Sequence, residues 1–129
     1  MLKSLPALFM VALTTLIAGP GAAEMRLVMV EQPGCVYCAE WDHEIADIYP
    51  LTPEGKAAPL ERAQLRGPYP EGVNLDMPPI FTPTFILLND GTEVGRIEGY
   101  PGEDFFWGLL GQMMAATGEF AAPAPAAGG

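Results

Sequence analysis

The sequence predicts an α/β fold with a central mixed four-stranded sheet flanked by helices. Three observations predict it. The runs Arg26-Leu27-Val28-Met29-Val30 and Phe85-Ile86-Leu87-Leu88 are continuously apolar, as in strands buried on both faces. Asn89-Asp90-Gly91-Thr92 is a hairpin turn, because Asp-Gly supplies the positive backbone angles that a tight turn requires. Stripes at spacings of three and four then follow, one after the first strand and one near the end of the chain.

The elements run in the order β-α-(β)-loop-β-β-α. After the first strand, Pro33-Gly34 breaks the chain, and residues 35–48 read as a helix with a stripe of Cys38, Trp41, Ile45 and Ile48. Pro50 and Pro53 stop it, and the Pro-, Gly- and Ala-rich residues 50–59 read as a loop. Residues 60–65 form a third strand of poor alternation. Residues 67–79 carry Pro68, Pro70, Pro78 and Pro79 and read as loop with at most a helical turn. The hairpin returns over residues 93–98, with Gly95 marking a bulge. Gly102-Glu103-Asp104 starts a last helix with acids at its positive end. Its apolar face is Phe105, Phe106, Leu109, Leu110 and Met113. Trp41, Trp107, Phe105, Met113 and Met114 read as core.

The ends of the chain read differently from its middle. Lys3, the apolar residues 5–17 and Gly21-Ala22-Ala23 make a secretory signal over residues 1–23, with cleavage near Ala23. The apolar run is shorter than the roughly 20 residues a spanning helix needs. Residues 24–116 form the folded domain. Residues 117–129, ending Ala-Ala-Pro-Ala-Pro-Ala-Ala-Gly-Gly, have little to bury and read as a disordered tail. Cleavage removes one of the 6 basic residues and none of the 16 acidic ones, taking the net charge from −10 to −11. Such a surface repels nucleic acid and anionic membranes.

Cys35 and Cys38 are the only cysteines, and they stand where a strand hands over to a helix. A disulfide closing so small a loop removes little entropy from the unfolded chain. Even in an oxidising compartment, where cysteines commonly staple folds, structural bracing explains this spacing poorly. A redox role explains it better. His43, the only histidine, follows Cys38 by five helical positions and so points about 140° away. Too few ligands converge for a zinc site, and no metal is expected. A copper-binding chaperone using the same dithiol is the alternative from another class.

Strand, C-x-x-C, helix, a Thr82-Pro83-Thr84 segment and a hairpin together resemble the thioredoxin superfamily over nearly all of residues 25–116. The resemblance implies a thioredoxin-like fold, Cys35 as attacking thiol, Cys38 as resolving thiol, and a cis-proline at Pro83 that with Thr82 docks substrate backbone. Elementary electrostatics agrees, since unpaired N–H groups at a helix start favour a thiolate at Cys35. Tyr37 gives a C-x-Y-C that resembles glutaredoxins, whose tyrosine helps frame glutathione, so glutathione is a candidate substrate; no cofactor beyond the dithiol is implied. The family's buried acid six residues before the first cysteine is Met29 here, and Glu31 nearby is placed at the strand end, so no proton shuttle is assigned.

The fuller pattern is most similar to the SoxS-type periplasmic thioredoxins of bacterial sulfur-oxidation systems. It rests on Glu31-Gln32-Pro33-Gly34-Cys35-Val36-Tyr37-Cys38, Tyr49-Pro50-Leu51-Thr52-Pro53-Glu54-Gly55, Phe81-Thr82-Pro83-Thr84-Phe85 and Gly99-Tyr100-Pro101-Gly102. This resemblance implies a monomeric periplasmic thiol–disulfide oxidoreductase acting as a reductant. Its electrons would come from a membrane thiol transporter, and its substrate would be a cysteine-bearing sulfur-carrier protein. An oxidant or isomerase is the alternative within the class.

Overall fold

The computed structural model describes residues 24–121. The expected signal, residues 1–23, and residues 122–129 of the expected tail lie outside them. Strand β1 (Met25–Glu31) leads to helix α1 (Val36–Trp41), which continues as a π-helical turn over Asp42–Ala46. A 3₁₀ turn at Tyr49–Leu51, helix α2 (Pro53–Ala57) and strand β2 (Leu60–Gln64) follow. Strands β3 (Thr84–Asn89) and β4 (Thr92–Glu98) form the hairpin, and helix α3 (Glu103–Ala116) closes the domain.

The sheet order is β2-β1-β3-β4. β1 runs parallel to β2 and antiparallel to β3, and β3 runs antiparallel to β4, which makes the sheet mixed, with β1 and β3 at its centre. Both central strands are buried on two faces, which is why their sequences do not alternate. Leu27, Met29, Phe85 and Leu87 meet Trp41, Tyr49, Phe106 and Leu110 on the helical side. Val28, Val30, Ile86 and Leu88 face the other way, where Leu65, Tyr69, Val73 and Leu75 from a loop take the place of a helix. The hairpin turn has positive φ at both Asp90 and Gly91, 50° and 79°, the backbone that a two-residue primed turn requires. The bulge falls beside Gly95: Leu87 pairs with Gly95 and Leu88 with Glu93, leaving Val94 as the extra residue. At Gly95, α3 packs so closely that an added Cβ would lie 2.8 Å from Met113 Sδ.

Three expectations need correction. Ile48 is exposed and Tyr49 is buried in its place, because the π turn, with its i→i+5 hydrogen bonds, adds a residue and advances the stripe by one position. The segment 50–59 is not all loop. Thr52 Oγ1 accepts the Gly55 N–H at 3.0 Å and Pro53 occupies the first helical position, so α2 forms. On α3 the buried positions are Phe106, Leu110 and Met114. Phe105 and Leu109 lie on the exposed side, since the apolar stripe of this helix is wider than the face that meets the sheet. Directly after α3, Thr117 Oγ1 donates to Met114 O at 2.6 Å, and Phe120 is half-buried against the core.

Candidate active site

Cys35 and Cys38 form a disulfide with Cα atoms 5.2 Å apart. Cys35 is the N-cap of α1, in extended conformation, and its Sγ accepts the Cys38 N–H at 3.2 Å. A sulfur there faces donors that the first helical turn cannot satisfy internally. Cys35 is half-buried, whereas Cys38 is 5% exposed and belongs to the core. The helix therefore separates the two sulfurs into an accessible one and a sheltered one.

Beyond the disulfide, the Thr82–Pro83 peptide bond is cis. Pro83 is buried, and its carbonyl accepts from Gly99 N at 2.7 Å, while Thr84 Oγ1 donates to Phe81 O at 2.7 Å. These bonds pin the loop against β4. Gln32 links this loop to the cysteines. Its carbonyl accepts the Cys35 N–H at 3.3 Å and its side-chain amide donates to Thr82 Oγ1 at 2.8 Å. Sequence reasoning missed Gln32, because its partner is 50 positions away. Around the two loops, Val36 (75% exposed), Tyr37 (58%), Ile80 (73%) and Phe81 (55%) leave apolar surface open to solvent.

A cavity of about 390 Å³ opens beside the disulfide, lined among others by Glu31, Gln32, Cys35, Val36, Cys38 and Asp42. Tyr37 does not line it. Arg62, reaching from β2, binds Glu31 Oε2 and Asp42 Oδ1, each at 2.6 Å. Its guanidinium also lies 5.7 Å from the centre of the Trp41 ring, within cation–π range. The hydrogen bond to Asp42, joined by that to Glu31, holds the arginine above its ordinary pKa despite partial desolvation. Glu31 closes β1 and is paired, and the position of the family's buried acid is the fully buried Met29. His43 is exposed on the π turn, and among the described residues no three His, Cys, Asp or Glu side chains are grouped to hold a metal ion.

The crystal structure of the reduced form of the periplasmic thioredoxin SoxS from Paracoccus pantotrophus superposes with a TM-score of 0.71 and is 57% identical in sequence. The match covers 73% of this chain and 99% of that one. The chain belongs to the SoxS-type thioredoxins. No protein-family model matches the sequence, and no curated protein matches it. As a SoxS-type thioredoxin carrying a C-x-x-C disulfide, the protein is a thiol–disulfide oxidoreductase. The thioredoxin-like fold and its mixed four-stranded sheet are those expected from the sequence. The reduced dithiol holds the two electrons of the exchange in its thiols and gives them up as its S–S bond forms.

Proposed function

We propose that this thioredoxin is exported to the periplasm after cleavage near Ala23 and works there, as a monomer, as a reductant of cysteine-bearing partners. The observation that carries the reading is the asymmetry of the dithiol: a half-buried Cys35 whose sulfur accepts a helix N–H, beside a sheltered Cys38.

In the reaction, the Cys35 thiolate attacks one sulfur of the partner disulfide. That S–S bond breaks, and the departing thiolate leaves with the electron pair and takes a proton from water. The Cys38 thiol gives up its proton and its thiolate attacks Cys35 Sγ. This expels the second partner thiolate and closes the Cys35–Cys38 disulfide. The partner is reduced by two electrons and the dithiol is oxidised by two. Pro83 and Thr82 hold the partner's extended chain, and the exposed Tyr37 ring frames either that chain or glutathione bound as a mixed disulfide. A membrane thiol transporter restores the dithiol.

The partner we assign is a sulfur-carrier protein whose cysteine must stay free for sulfur oxidation. The similarity to the SoxS-type thioredoxins supports this assignment. Its test uses the reduced protein and a carrier whose single cysteine is blocked as a mixed disulfide. The reading predicts release of one free carrier thiol per Cys35–Cys38 disulfide formed. A carrier that stays blocked, while a general protein disulfide is reduced at the same enzyme concentration, would contradict the assignment and leave the oxidoreductase activity standing.

A further inference from the structure

We infer that the Glu31–Arg62–Asp42 bridge sets the local charge at the dithiol and thereby governs how readily Cys35 forms its thiolate. The inference rests on Cys35 being the attacking thiol. Both carboxylates line the cavity that reaches Cys35 and Cys38, and both have the same counter-charge, Arg62. Asp42 follows Cys38 by four residues, one helical turn, on the same side of the helix. Glu31 directly precedes Gln32, whose carbonyl holds the Cys35 N–H. Arg62 is anchored on a neighbouring strand and laid over Trp41, so the counter-charge has a fixed place.

Two carboxylates against one guanidinium leave one net negative charge at the cavity wall. It opposes the Cys35 thiolate, while the Cys38 N–H favours it. Among the other charged groups of this end of the domain, Arg66 is exposed and lines a separate pocket with Gln32 and Pro33, and it is the same in every variant compared. Glu44 accepts from the Tyr100 hydroxyl, Glu40 and Glu103 lie near the same hydroxyl, and Glu61 pairs with Arg26. His43 stands exposed on the π turn.

The bridge makes predictions of opposite sign. Glu31→Gln removes the net charge, so the thiolate fraction at neutral pH rises by about threefold, the size of one unit charge acting through partly hydrated protein. Arg62→Met keeps an aliphatic stem over Trp41 but leaves two bare carboxylates, and the fraction falls by a similar factor. The double variant, with Asp42 alone, carries the original net charge and returns close to wild type. Asp42→Asn shifts in the direction of Glu31→Gln; if Arg62→Met fails to fold, the Glu31→Gln shift is read at low and high salt, where a charge effect shrinks and a structural one does not.

The readout is the pH dependence of iodoacetamide alkylation of the reduced protein, with the modified cysteine identified by mass, beside a melting curve for each variant. A purely structural bridge would move both single variants the same way, or change melting alone; either outcome overturns the inference while the site assignment stands. Alkylation of Cys38 before Cys35 in the wild-type protein would overturn the site assignment itself.

Discussion

Gln32 donates to Thr82 Oγ1 at 2.8 Å, and by that bond the loop that carries the cysteines is tied to the loop that carries the cis proline. The same residue's carbonyl takes the Cys35 N–H. The cysteine loop and the cis-proline loop thus share one hinge point, held by a bond exposed to solvent. A net hydrogen bond of this kind contributes about 0.5–1.5 kcal/mol.

Loss of that bond is expected to loosen partner positioning without unfolding the domain. Gln32→Ala and Thr82→Val should each lower kcat/KM for a protein disulfide by about three- to tenfold, with little change in Tm. The double variant should be no worse than the more damaging single, giving a coupling of about 0.7–1.4 kcal/mol in a double-mutant cycle. Fully additive losses would mean that the two side chains act separately.

The two cysteines should fail in different ways. Cys38→Ser leaves Cys35, the proposed attacking thiol, intact, so a mixed disulfide with a partner should persist and be visible on a non-reducing gel. Cys35→Ser leaves only the sheltered sulfur, 5% exposed, and should trap little. Equal trapping by both variants would contradict the division of roles.

Gly55 tests the packing that carries the site. A Cβ there would lie 1.8 Å from Tyr49 O, against backbone that cannot move without dislodging the stripe. Gly55→Ala should cost about 2–3 kcal/mol and lower Tm by roughly 8 °C or more. An unchanged melting curve would show that the turn 49–55 relaxes freely.

Alkaline pH should destabilise the fold through two buried phenols. Burial, then the charge of Glu54, pushes the Tyr49 hydroxyl well above its ordinary pKa of 10. Burial, then the hydrogen bond to Glu44 and the surrounding acids, does the same at Tyr100. In both cases the folded-state pKa is raised, so the stabilisation is complete below the unfolded value of about 10 and is lost as pH rises beyond it. Urea midpoints should be flat with respect to these groups below pH 10 and fall above it. Replacing Tyr100 with Phe should flatten part of that fall; an unaltered slope would remove Tyr100 from the account.

Much of the scaffold was legible because its signals are local. β1 and β3 announce themselves as unbroken apolar runs, the Asp90-Gly91 pair marks its own turn, and the cysteines stand at a strand-to-helix boundary. What escaped depends on geometry or on distance along the chain. A π turn shifted the phase from Ile48 to Tyr49, a change that no 3.6-residue periodicity can register. The start of α2 was readable as Thr52-Pro53-Glu54, a cap, a first-turn proline and an acid, but a Pro- and Gly-rich background hid it. Gln32 and Arg62 find their partners 50, 31 and 20 positions away. Those pairings exist only once β2 lies beside β1 and the cis-proline loop closes over the helix start.

The central claim, that the dithiol gives electrons rather than takes them, is tested most directly by its reduction potential. The mature chain would be equilibrated against glutathione buffers, and the oxidised fraction read by alkylation and mass. A reductant should fall in the range of thioredoxins and glutaredoxins, about −270 to −200 mV. A value near −120 mV, where strong disulfide donors lie, would contradict the reductant role and make the protein an oxidant.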